Sequence, residues 1–179
     1  MSQVKKDLIL GKAKKFLVSF QDSHAYDGTF GQNFYKVYLL YLLYSEQFQS
    51  LQLHRVELGD GYPGSVFFMC KIPSFTKNAF NVAHGGALTT YVDIATTAAL
   101  FAFDDKGRAN VSAKLDMEFM TSAAIDQEIE IEAKINKVGK SLAFTEGRLI
   151  DPQNKKVICI GTHIKAFINQ EYKLRDDVK

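Results

Sequence analysis

Between residues 78 and 103 the chain reads NAFNVAHGGALTTYVDIATTAALFAF, where a Gly-Gly pair opens about nineteen apolar or hydroxylic residues broken by one carboxylate, Asp93. Ala, Leu and Phe dominate from Ala87 onward and no Pro occurs, which predicts a helix. His84-Gly85-Gly86 supplies a start at which backbone N–H groups stay accessible. The run is long enough to suggest a membrane span, but a central Asp costs roughly 2.5–3.5 kcal/mol on insertion scales. Thr89, Thr90, Thr96 and Thr97 add hydroxyls. A buried helix in a soluble domain is therefore the expectation, and a helix apolar on nearly every side must be wrapped by other structure.

The wrapping is written on both sides of that helix as strands. Residues 128–135 read EIEIEAKI, an alternation that places Ile129, Ile131, Ala133 and Ile135 on one face and Glu128, Glu130 and Glu132 on a face expected to meet solvent. Further strands are predicted at 53–58, 65–72, 110–119, 142–150 and 157–167, separated by Gly-, Pro- and Asn-containing turns. Gly139-Lys140 suits a two-residue hairpin with Gly at its first central position. Two strands, one long buried helix and four strands in tight succession imply an α+β fold, with a single antiparallel sheet curled around the helix, because such short links exclude parallel crossovers among the later strands.

The chain divides into an N-terminal extension over 1–50, expected to be helical, a main domain over 51–170 and a tail over 171–179. With 179 residues, 46% hydrophobic and 23% charged, the main domain can bury a core without metal or disulfide help. Cys70 and Cys159 lie in apolar strand contexts and read as packing residues of a reducing compartment. The cytoplasm is the expected setting. Five Lys and no Arg in the first twenty residues leave a mitochondrial presequence as the alternative. Residues 33–44, NFYKVYLLYLLY, are too short to span a bilayer and read as a helix laid on the domain or at a subunit contact. A net charge of +2 gives no argument for nucleic acid.

Asp93 is the residue that most needs a use, since an ionised carboxylate in an apolar helix is costly unless it is hydrogen-bonded or functional. Other chemistries lack their signatures. Gly139-Lys140-Ser141 resembles the end of a phosphate-binding loop, but the Gly required five residues earlier is Lys134. No GxSxG elbow occurs, Cys70 has no nucleophile signature, and His24, His54, His84 and His163 show no metal-ligand spacing.

Asn78, His84-Gly85-Gly86, Asp93, Ser112 and the hairpin VGKSLAF together resemble the hotdog-fold acyl-CoA thioesterases of the phenylacetate-degradation and thioesterase-superfamily-member-2 type, over roughly residues 53–167. The resemblance implies a homodimer or dimer of dimers, and metal-free hydrolysis of an acyl-CoA thioester that brings coenzyme A as part of the substrate and needs no cofactor. By position, Gly85 would donate its N–H to the thioester carbonyl and Asn78 would position carbonyl or water. Asp93 would be base or nucleophile, with His84 and Ser112 as supporting groups. Gly86 and the hairpin residues Lys137, Gly139 and Lys140, with Arg108, would contact the substrate; basic side chains suit the coenzyme A phosphates.

The residue types make chemical sense by themselves. Thioester hydrolysis builds negative charge on the carbonyl oxygen, which a helix N-terminus can receive, and water needs a carboxylate either to take its proton or to replace it as attacker. Plainer roles exist for each group: Asn78 as a turn cap with Asn81 its competitor, His84 as an imidazole orienting the Gly-Gly turn, Ser112 as a strand hydroxyl, the basic residues as solvated charge. A non-catalytic acyl-CoA sensor is the alternative function. Tyr91, Phe101, Phe103, Phe119 and Met120 are candidates for an acyl tunnel or for plain core, with medium or long fatty acyl chains expected.

Overall fold

The computed structural model describes residues 3–21 and 50–171. The predicted helix over 33–44 and the tail beyond Glu171 lie outside the described residues. Helix α1 (Gln3–Gln21) is followed by strands β1 (Gln52–Leu58) and β2 (Gly64–Lys71), a 3₁₀ turn (Ser74–Thr76), helix α2 (Gly85–Phe103), and strands β3 (Arg108–Phe119), β4 (Glu128–Val138), β5 (Leu142–Ile150) and β6 (Val157–Glu171). The six strands form one antiparallel sheet in the order β1-β2-β4-β5-β6-β3. All six predicted strands are present, with β3, β4 and β6 two to four residues longer than the apolar pattern alone marks.

Helix α2 lies across the concave face of this sheet. Leu88, Tyr91, Val92, Ile94, Ala95, Thr96 and Ala98 to Ala102 are buried, and the facing Ile129, Ile131, Ala133 and Ile135 of β4 are wholly inaccessible. α2 has the length and composition of a membrane span, yet here the sheet wraps it. Its crossover carries the chain from β2 near one edge to β3 at the other, so Asp93 on the helix can meet residues of β3 and β6.

Two glycines set how closely helix and sheet approach. Gly147 of β5 and Gly161 of β6 are cross-strand partners. A Cβ built on either would stand 2.7 Å from Val92 Cγ1. Val92 therefore seats in a notch two glycines wide, and a seated Val92 fixes the rotation of α2 and the direction of Asp93 beside it.

Helix α1 closes the outer side of α2. Ile9, Ala13, Phe16 and Leu17 follow helical spacing, are buried, and join the main core, with Phe16 and Phe101 ring centroids 5.3 Å apart. Lys12 reaches Asp105 at 3.7 Å just beyond the end of α2.

Two local expectations are corrected. Glu130 does not face solvent: it is 8% exposed and ion-paired with Arg55 from the next strand but one, whose guanidinium also lies 3.6 Å over the Phe67 ring. Alternation reports which side of the sheet a residue faces, and a neighbouring Arg decides whether that side is wet. The β4–β5 hairpin is also shifted by one residue. The Gly139 N–H donates to Leu142 O at 2.8 Å, so Lys140 and Ser141 are the central pair and Gly139 flanks them. Gly is needed there because a Cβ would fall 2.8 Å from that same carbonyl oxygen.

Candidate active site

The start of α2 is built by a short polar loop. Asn78 Oδ1 accepts from the N–H groups of Phe80 (2.8 Å) and Val82 (3.3 Å), while Asn81 takes a left-handed φ of 61°, which Asn tolerates. Asn81, the competing candidate, is thus the turn residue, and Asn78 is the residue that organises the loop from its side chain. The loop is tied down by the His84 N–H on Thr76 O at 2.8 Å and the Ala83 N–H on Ala123 O at 2.9 Å.

His84 is the N-cap of α2, and its Nδ1 accepts from the Gly86 N–H at 2.9 Å. That matches the plainer reading of His84, an imidazole that orients the Gly-Gly turn. The N–H groups of Ala87 and Leu88 return to His84 O. Among the described residues nothing accepts from the Gly85 N–H, which leaves one donor open at the positive end of the helix dipole. The Phe119 ring lies over this glycine, 3.4 Å from where a Cβ would sit, and Phe119 and Met120 are each 52% exposed. The acyl-tunnel candidates therefore divide: Tyr91 and Phe101 are core, Phe103 packs against it, Phe119 borders the open helix start, and Met120 is exposed just past the end of β3.

Asp93 lies two turns further along α2, with its side chain 28% exposed. Around it stands a cluster drawn from three elements far apart in the sequence. Ser112 Oγ is 3.3 Å from Asp93 Oδ1, His163 Nε2 is 3.0 Å from Ser112 Oγ, and Lys165 Nζ is 3.4 Å from Asp93 Oδ1, 3.2 Å from Ser112 Oγ and 2.8 Å from Thr97 Oγ1. Strand pairing explains the meeting. Ser112 of β3 is the register partner of Lys165 of β6, and Lys165 is also paired to Ala143 of β5, which pairs with Val138 at the end of β4. Asp93 and the β4–β5 hairpin consequently share one end of the sheet. His163 and Lys165 were missed by sequence reasoning because each sits in an ordinary strand pattern. The available signal was their i, i+2 spacing, which puts both on the face towards the helix.

His163 is fully buried, and burial followed by the Lys165 charge pushes its pKa down to about 4 against the pull of Asp93. It is therefore neutral near pH 7, and its tautomer is settled by its neighbour. Thr96 Oγ1 donates to Val92 O at 2.7 Å, so at the 2.7 Å contact with His163 Nδ1 the ring must be the donor. The lone pair of Nε2 then faces Ser112.

Arg108 stands apart from Asp93 and is used within the chain. Its guanidinium bonds Asp104 through Nε (3.2 Å) and Nη2 (2.9 Å), and its Nη1 donates to the carbonyls of Gly139 (3.2 Å) and Lys140 (2.8 Å). It also stacks 3.5 Å over Phe167. Asp104 is buried, which raises its pKa, but the bonds from Arg108 outweigh burial and hold it below the usual carboxylate value. Arg108 thus fastens the hairpin to the end of α2. Lys137 and Lys140 are exposed on that hairpin.

A helix N-terminus with an open N–H, a carboxylate on the same helix and a curled antiparallel sheet around both define a hotdog thioester hydrolase. The thioesterase superfamily model matches residues 80–158, the stretch from the Asn78 loop to the start of β6, and with the relative described next the chain belongs to that family. It is 34% identical to human acyl-coenzyme A thioesterase 13 over 117 residues, which is 65% of this chain and 83% of that protein. The crystal structure of thioesterase superfamily member 2 from Mus musculus superposes with a TM-score of 0.60 at 27% identity, covering 75% of this chain and 95% of that one. The zebrafish member gives 0.60 at 28% identity over 69% and 86%.

Proposed function

We propose that the protein hydrolyses acyl-CoA thioesters, with Gly85 and Asn78 receiving the carbonyl oxygen and Asp93 acting as base towards water or as nucleophile. The observation that carries this reading is the pairing of the Gly85 N–H, from which no described residue accepts, with a carboxylate held by Lys165. Support for coenzyme A as the thiol comes from the named relatives and from the exposed Lys137 and Lys140 on a hairpin at the Asp93 end of the sheet. Gly86 and Gly139 let backbone approach the substrate in those two places. Medium or long fatty acyl chains suit the apolar border that the exposed Phe119 gives the helix start. A cytoplasmic setting, with mitochondria as the alternative, keeps both thiols reduced.

One chain does not complete the site. Gly85 and Asp93 are eight residues apart on one helix, about 12 Å along its axis at 1.5 Å per residue. A second copy supplies the missing half if β3, an edge strand, pairs with its own copy about a two-fold axis near the strand's middle. β3 runs back along α2, with Ser112 beside Asp93 and Phe119 beside Gly85. Antiparallel pairing of two such strands sets Asp93 of one protomer against Gly85 of its partner. This is the homodimer, which can pair again into a dimer of dimers.

Free-thiol release from a panel of acyl-CoAs tests the activity, and Asp93→Asn, nearly isosteric, should lower kcat by about 100-fold or more with unchanged melting. Binding without release would indicate the sensor instead. Asn78→Ala and Asp93→Asn homodimers, unfolded and refolded together, should regain roughly a quarter of wild-type activity, since half the dimers are mixed and one of their two sites is whole. Verified subunit exchange without recovery would show that the site is built within one chain.

A further inference from the structure

We infer that Lys165 is a positioning residue of the hydrolytic site, its ammonium anchored by Thr97 and Ser112 so that the third N–H holds the Asp93 carboxylate turned towards the reacting water. The inference rests on the reading of Asp93 as base or nucleophile and adds the group that keeps it fit for either role.

An ammonium has three donors and no acceptor, so a buried one needs three acceptors. Lys165 is 3% exposed and has three: Thr97 Oγ1 at 2.8 Å, Ser112 Oγ at 3.2 Å and Asp93 Oδ1 at 3.4 Å. The protons of the two hydroxyls are placed elsewhere. Thr97 donates to Asp93 O at 2.7 Å, so its oxygen is free to accept from Lys165. Ser112 faces the lone pair of His163 Nε2 at 3.0 Å, a shorter contact than the 3.3 Å to Asp93, so its proton points to the imidazole. Thr97 lies 3.4 Å from Asp93 Oδ1, but its single proton is taken by the shorter backbone bond. Of the three side chains bonded to Oδ1, Lys165 is therefore the one with a proton directed at it.

The charge follows the same logic. Burial lowers the pKa of Lys165, and the Asp93 carboxylate acts in the opposite direction. The groups facing the ammonium are Asp93 and Thr97 from α2, Ser112 from β3 and His163 from its own strand, while its β5 partner Ala143 carries no charge. Asp93 is thus the one anion against it among the described residues.

Lys165→Met should retain KM, because Nζ is buried and bonded to Thr97, Ser112 and Asp93, while kcat falls about ten-fold through a loosened Asp93. Lys165→Gln, which restores a donor without charge, should recover part of kcat. In the Asp93→Asn background, Lys165→Met should cause no further loss. If neither Lys165 variant folds, the 13Cε resonance of Lys165 decides in protein that does. Its titration midpoint should fall by about 1–3 pH units from wild type to Asp93→Asn. Folded Lys165→Met with wild-type kcat, or a Lys165 titration indifferent to Asp93→Asn, would overturn the inference. Wild-type turnover by Asp93→Asn is a separate result and would remove the reading of Asp93 itself.

Discussion

Adding one methyl group to the sheet, by Gly147→Ala, should weaken both the fold and the chemistry, although it touches no reacting group. The new Cβ would lie 2.7 Å from Val92 Cγ1 and 3.3 Å from Thr96 Cγ2, whereas carbon atoms pack best at about 3.5–4.0 Å. An overlap of about 1 Å must be relieved by movement. Val92 cannot relieve it by turning, because it is β-branched in a helix and fully buried. The helix has to lift. Overpacking of this kind costs about 1–3 kcal/mol, against which replacing Gly gains about 0.4–1 kcal/mol from the unfolded chain, so a net loss of about 1–2 kcal/mol remains. Asp93, next in the chain, lifts with the helix, and its 3.3 and 3.4 Å contacts to Ser112 and Lys165 pass out of bonding range. A misplacement of about 1 Å is worth roughly 100-fold in kcat. Urea denaturation measures the first effect and initial-rate thiol release the second. Val92→Ala added to Gly147→Ala should reopen the notch, giving a coupling of at least about 0.5 kcal/mol in the double-mutant cycle. Wild-type stability and kcat in Gly147→Ala would refute the notch as the feature that positions Asp93.

Arg108→Met should destabilise the protein by about 3 kcal/mol in urea denaturation, because it leaves the Asp104 charge, at 3% exposure, with backbone N–H donors alone and releases the Gly139 and Lys140 carbonyls. Lys140→Glu, at an exposed hairpin position, should raise KM for acyl-CoA several-fold and leave KM for a short thioester lacking the nucleotide nearly unchanged; equal effects on both would remove Lys140 from the coenzyme A contact. His163 makes stability depend on pH with a definite sign. Its folded pKa of about 4 lies below the unfolded value of 6.5, so the unfolded chain binds more protons between these two values. Its contribution is complete above about pH 6.5 and is lost as pH falls towards 4, a decline on the order of 3 kcal/mol that His163→Gln should flatten when urea midpoints are compared at pH 7 and 4.5.

Local pattern was enough for the elements and for half of the site. The alternation over 128–135 specified a strand and its buried face, since side-chain direction in a strand has period two whatever lies opposite. The unbroken apolar run after Gly86 specified a helix that needs a wrapping. The chemically unusual residues, an acid in that run and a Gly-Gly pair at its start, were visible because their rarity in such surroundings is a property of sequence alone. Tertiary structure decided everything that depends on what stands across a gap. Glu130 is buried because Arg55 reaches it from two strands away. Arg108 is an internal fastener because the hairpin carbonyls come within its reach. His163 and Lys165, some seventy residues after Asp93, join it because β6 pairs with β3 in one register and because two glycines let Val92 settle between them. A hydrogen bond is set by distance in ångströms, and the sequence records separation only along the chain.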